Sequence, residues 1–99
     1  LVGKIELGQN YPDPFFPSEE TAITYRVDNA FCVKIILFDS DKEKLYTFEG
    51  LPKSGGKLII GSNMLSPGEY YYALFINGRM MQKRYMKVLD PITLNVIVR

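Results

Sequence analysis

Apolar residues in this chain recur at every second position in short runs, and each run is closed by Gly, Pro, Asn or Asp. That period belongs to a strand lying half-buried in a sheet, where successive side chains point to opposite faces; a helix needs a period of 3.6. In Thr21–Val27, Ile23, Tyr25 and Val27 share a face; in 31–38, Phe31, Val33, Ile35 and Leu37 do. Runs at Lys44–Phe48, 57–60, 69–76 and 80–89 continue the pattern. A last one covers 92–98, where Ile92, Leu94 and Val96 alternate with Thr93 and Asn95. The expected fold is all-β: an immunoglobulin-like antiparallel β-sandwich of about seven strands.

Turn chemistry separates the runs at Asp28-Asn29, Asp39-Ser40-Asp41, Ser54-Gly55-Gly56, Ser66-Pro67-Gly68 and Asn77-Gly78. Asn77-Gly78 is the strongest of these, because a type I′ turn needs positive φ at both central residues, which Asn and Gly tolerate best. It predicts a tight hairpin between the runs on either side. Ser54-Gly55-Gly56 reads as a second hairpin turn.

Near the start, Tyr11-Pro12-Asp13-Pro14-Phe15-Phe16-Pro17 breaks the alternation. Each Pro fixes its own φ, removes a donor and pushes its predecessor out of the helical region, so residues 1–20 form an extended, stiff entry segment and no central strand. Two roles fit it: a connector carrying two aromatic plugs into the sandwich edge, or a Pro-rich ligand surface.

The composition argues against most chemistry. Twelve Lys and Arg nearly balance eleven Asp and Glu, so no overall field draws nucleic acid or anionic membrane. Cys32 is the only cysteine and there is no histidine, which removes an internal disulfide, a thiol–imidazole pair and the commonest transition-metal ligand. Asp39, Asp41 and Glu43 open like a calcium loop, but Lys44 stands where that loop needs Gly and Gly50 where it needs Glu. They fit a solvated hairpin tip or a weak loop-bound cation. Glu19 and Glu20 are adjacent, so on an extended chain they point apart and cannot bracket one bond. The expectation is a non-enzyme with no cofactor and no metal.

Two clusters remain. Alternation puts Tyr70, Tyr72 and Leu74 on a core face and Tyr71, Ala73 and Phe75 on the other, where Tyr71 and Phe75 are either covered or form a contact patch. Arg79, Lys83, Arg84 and Lys87 occupy a stretch without acidic residues. Alternation places Arg84 with Met80, Met86 and Val88, and Lys83 with Lys87 on the opposite face. The cluster is either a solvated strand face or a recognition edge.

Three separated motifs resemble the C-terminal sorting domain of the type IX secretion system of Bacteroidetes, the Por secretion tail family. The opening Leu7-Gly8-Gln9-Asn10-Tyr11-Pro12-Asp13-Pro14-Phe15-Phe16-Pro17-Ser18 looks like L-x-Q-N-Y-P-N-P-F-N-P-S and is followed by Ile23-Thr24-Tyr25. Val33-Lys34-Ile35-Ile36-Leu37-Phe38-Asp39 is similar to V-x-L-x-V-Y-D. Leu65-Ser66-Pro67-Gly68-Glu69-Tyr70-Tyr71-Tyr72-Ala73-Leu74, then Gly78 and Lys83-Arg84-Tyr85-Met86-Lys87-Val88, resembles L-x-x-G-x-Y-x-Y-x-L, G and K-K-x. The resemblance covers about 80 residues.

What the resemblance implies is a passive domain, part of a longer secreted or surface protein, that reaches the cell surface through the periplasm and outer membrane. An outer-membrane translocon would read it, and a surface sortase would act on the passenger upstream. Its signal positions would be Gly68, Gly78, Lys83, Arg84, Met86, Lys87 and Val88, with Asn10, Pro12, Pro14, Phe15, Tyr70 and Tyr72 supporting the fold. The chain starts at Leu1 and shows no signal peptide, so any export signal is expected upstream. Residues 90–99 are expected as an extra strand that closes its own sandwich or pairs with a neighbour's sheet. Such pairing would make the domain an assembly module of an adhesin, filament or phage-tail appendage.

Overall fold

The computed structural model describes residues 4–28, 30 and 32–91, which form seven strands. These are β1 (Ile5–Leu7), β2 (Thr21–Val27), β3 (Val33–Asp39), β4 (Lys44–Phe48), β5 (Gly55–Ile60), β6 (Gly68–Ile76) and β7 (Arg79–Val88). They make two antiparallel sheets, one ordered β1-β2-β5 and the other β4-β3-β6-β7. The fold is the expected immunoglobulin-like sandwich. The proposed strand at 92–98 and the Phe31 side chain lie outside the described residues.

The inward positions of the alternating runs supply the core. Ile23, Tyr25 and Val27 of β2 face Val33, Ile35 and Leu37 of β3 and Tyr70, Tyr72, Leu74 and Ile76 of β6, all buried. At about 25 cal/mol per Å² of apolar surface removed from water, this interlayer is the main stabilising term. The outer face of the larger sheet is also partly covered: Ile36 and Ala73 are register partners there, and both are buried.

Asn77-Gly78 forms the tight turn it predicts, with φ +52° at Asn77 and +84° at Gly78, and joins β6 to β7. Ser54-Gly55-Gly56 is not a hairpin turn. Gly55 and Gly56 begin β5, which leaves β4's sheet and pairs with β2 opposite Arg26 and Tyr25. A Cβ on Gly55 would stand 2.7 Å from the Tyr25 carbonyl oxygen. The glycine therefore serves close backbone approach within a strand, not chain reversal.

A bulge makes the second correction. Leu74 pairs with Gln82 but Phe75 pairs with Met80, so one extra residue sits in β7 and Met80 shares the face of Phe75. Met80 is thus on the opposite face from Arg84, and it is exposed. Strict alternation fails across a bulge.

The β3–β4 hairpin closes on the Asp39 carboxylate, whose Oδ1 accepts the N–H groups of Asp41 and Glu43, each at 2.9 Å. Within this turn Lys42 has φ +69°, a left-handed conformation that costs a side-chain-bearing residue about 1–2 kcal/mol. Against the larger unfolded-state entropy of glycine, Lys42→Gly is expected to raise stability by about 0.5–1 kcal/mol in urea unfolding.

Candidate functional site

The opening segment is the least regular part of the chain, yet it makes most of the side-chain hydrogen bonds that span long sequence separations. After β1 it continues along β2, with Gly8 N–H donating to Thr24 O at 2.8 Å and Tyr11 and Ala22 exchanging two bonds at 2.9 Å. Gly8 to Tyr11 covers three residues while Thr24 to Ala22 covers two. The extra residue lets Asn10, 2% exposed, sit between the layers.

Asn10 is fully engaged. Its backbone N–H donates to the Tyr72 hydroxyl at 2.8 Å, and its side-chain amide donates to Thr21 Oγ1 at 3.0 Å and Pro12 O at 3.2 Å. Its Oδ1 accepts from Gln9 Nε2 at 2.7 Å. Thr21, also buried, donates to Pro12 O at 2.8 Å. The Tyr72 hydroxyl in turn donates to Gly8 O at 2.7 Å. No buried side-chain polar atom among the described residues lacks a partner, as a polar group held away from water requires.

The segment then crosses to the other sheet and covers the free edge of β7. Phe15 N–H donates to Lys87 O at 3.2 Å and the Phe15 carbonyl accepts Leu89 N–H at 2.8 Å, a parallel bridge opposite Val88. Side chains extend the contact: two from the opening segment take edge backbone groups of β7, and two from β7 reach back to the β1 backbone. Gln9 Nε2 donates to Tyr85 O at 2.7 Å, Asp13 Oδ1 accepts Lys87 N–H at 3.1 Å, and Gln82 Oε1 accepts Leu7 N–H at 2.9 Å. Arg84 Nε donates to Leu7 O at 2.7 Å. This clasp blocks the C-terminal half of the β7 edge, from Tyr85 to Leu89, from pairing with another strand. Of the two expected aromatic plugs only Phe15 enters the core; Phe16 is half-buried and Tyr11 is 81% exposed.

Burial pushes the Tyr72 hydroxyl up to about 12; the Asn10 N–H bond and the Arg84 charge offset part of that, and the Asp13 charge adds to it. Burial also raises Tyr25 and Tyr70, the latter helped by the Asp39 charge. These tyrosines hold their protons more tightly folded than unfolded. The stability they contribute is complete below the ordinary tyrosine pKa and is lost as pH rises through the folded value. Unfolding free energy is therefore expected to fall steeply between pH 10 and about 12, measured by denaturant titration at successive pH values.

The seven positions drawn from the signal motif do not form one site. Gly68 and Gly78 stand at opposite ends of the β6–β7 hairpin, roughly 30 Å apart at the usual rise per residue. Met86 and Val88 are core residues, and Arg84 is committed to β1. Lys83 and Lys87 project from the outer face. Of the motif's supporting residues, Asn10, Pro12, Phe15 and Tyr72 meet in the clasp, Tyr70 packs in the core with its hydroxyl on Ser66 O at 2.6 Å, and Pro14 is exposed.

The outer face of the larger sheet holds the other arrangement of note. Phe38 and Tyr71 stack with centroids 4.7 Å apart and planes within 10°, and Tyr85 follows at 5.9 Å from Tyr71. Lys83 Nζ lies 5.2 Å from the Tyr71 centroid and 5.6 Å from that of Tyr85, and Lys34 Nζ lies 5.6 Å from the Phe75 ring. Such ammonium–ring contacts each contribute about 0.5–1 kcal/mol when exposed. Sequence reading found Tyr71, Phe75 and Lys83 but not Phe38 or Tyr85, although both sit at outward positions of their strands. Thr21 was missed too, and its signal was a hydroxyl at an inward position of β2.

No family model matches the chain, and no curated protein does. Among solved structures it is similar to a chain described as "Biofilm associated protein - BSP domain", with a TM-score of 0.56 and 10% identity. The match covers 87% of this chain and 15% of that one, so it spans only a small part of that neighbour's length. At that identity the likeness concerns the fold.

Proposed function

We propose that this domain is a non-catalytic sorting module of an exported protein, and that type IX secretion machinery reads its final hairpin to bring an upstream passenger to the cell surface. The observation that carries the reading is the convergence of the resemblance's separated motifs. Asn10 of the first locks onto Tyr72 of the third and Phe15 onto Lys87 and Leu89 in and just beyond it, while the Pro12 carbonyl holds Asn10 in place. A motif set that builds one clasp around the last hairpin suits a label that must be presented folded, with its edge closed and its outer face open. The outward Lys83 and Lys87 are then the contact residues, while Met86 and Val88 act by holding the hairpin in place.

The likeness to a domain described as biofilm-associated favours a second reading, a structural module of a cell-surface adhesin. Fold likeness alone does not carry a role across. Fusing the whole chain to a reporter in a Bacteroidetes host separates the two. The sorting reading expects surface display that is lost on Lys83→Glu with Lys87→Glu, two exposed changes whose lost ring contacts cost about 1–2 kcal/mol and leave the domain folded. A reporter retained in the periplasm by the unaltered domain refutes it and favours the structural module.

A further inference from the structure

We propose that the outer face of the β4-β3-β6-β7 sheet carries a binding site for an anionic polysaccharide, centred on Tyr71, Lys83 and Tyr85. The inference does not depend on the export reading. Its first support is the aromatic row across three strands, which ends on Tyr85, a tyrosine 64% exposed on a strand face where water gives its ring no compensation. Sugar rings present apolar C–H faces that pack on such rings and hydroxyls that bond to tyrosine and serine hydroxyls.

The second support is charge. Lys83 is held over both tyrosine rings, and among the described residues no carboxylate pairs with it. Beside it opens a cleft of about 180 Å³ lined by Tyr71, Tyr85, Lys83, Lys42, Ser40 and Glu69. Glu69 is the only acid in that lining, and its register partner across the hairpin is Lys87. The face is net positive although the whole chain carries only +1. A volume below the roughly 300–1,000 Å³ of typical cofactor or drug pockets suits one carboxylated sugar ring of a longer polymer.

The third support decides between a glycan and an acidic peptide. An extended peptide gains most from main-chain bonds at a sheet edge, and the edge beside this face is already taken from the Tyr85 carbonyl to the Leu89 N–H. Tyr85 O, Lys87 N, Lys87 O and Leu89 N are all taken by the opening segment. Beside Tyr85 and Lys87 the face therefore offers side-chain chemistry.

The test titrates the purified chain with oligogalacturonate, with a neutral cello-oligosaccharide of equal length, with polyglutamate and with a single-stranded oligonucleotide, using calorimetry and amide chemical shifts. Oligogalacturonate is expected to bind and to shift the amides of Tyr71, Lys83 and Tyr85. Lys83→Gln or Tyr85→Ser should weaken binding about tenfold or more, each removing a charge-assisted or stacking contact. Lys57→Gln, an exposed change on the other sheet, should leave binding unaltered. The proposal is overturned if oligogalacturonate does not bind, if polyglutamate or the oligonucleotide binds as well, or if the two variants bind like the parent chain.

Discussion

Replacing Phe15 by Ala is expected to lower the unfolding free energy by about 3–5 kcal/mol, a large share of what a domain this size has. Phe15 is 2% exposed and is the single large side chain that the Pro-rich segment contributes to the core. Its backbone makes the parallel bridge to β7, so truncation leaves a cavity under the same residues that cover the strand edge. The prolines on either side stiffen the segment, so the chain cannot collapse into the space and the full cavity cost is felt. Urea unfolding of Phe15→Ala beside Phe16→Ala reads this directly. The half-buried Phe16 should cost much less, and equal losses would contradict the assignment of a single plug.

Tyr72→Phe should cost about 2–4 kcal/mol although it removes one oxygen atom and almost no volume. That hydroxyl accepts from Asn10 N–H and donates to Gly8 O, both inside the clasp. The variant strands a donor and an acceptor together, the more expensive way to lose a hydrogen bond. It also has a signature that a packing defect lacks. Tyr72 is the group whose pKa rises to about 12, so Tyr72→Phe should flatten the fall in stability between pH 10 and that value. Tyr25 and Tyr70, raised less, leave a residual slope.

The two-sheet architecture was readable because alternation and turn chemistry agree over β2, β3, β6 and β7, with Asn77-Gly78 fixing the hairpin register. Reading failed where one residue type serves two purposes. Gly55 looks like a turn glycine and is a strand glycine, placed under the Tyr25 carbonyl. Met80 was put on the wrong face because a bulge leaves no compositional mark when the inserted residue is another methionine, Met81. The clasp was half legible. The motif singled out Asn10, Pro12, Phe15 and Tyr72, but nothing in the spacing says that Gln9 and Asp13 reach a strand more than 70 residues away. Those contacts belong to the crossing between sheets, and a one-dimensional pattern does not encode that crossing. β1 was missed for a related reason: its three residues are too few to show a period.

The opening segment closes the C-terminal half of the last strand's edge, and native-state amide hydrogen exchange tests this most directly. In that picture Lys87 N–H, held by Asp13, and Leu89 N–H, held by Phe15, exchange only when the whole domain unfolds, as slowly as the amides paired between β3 and β6. Rapid exchange at Lys87 and Leu89, while the β3 and β6 amides stay protected, would mean that the edge stands open.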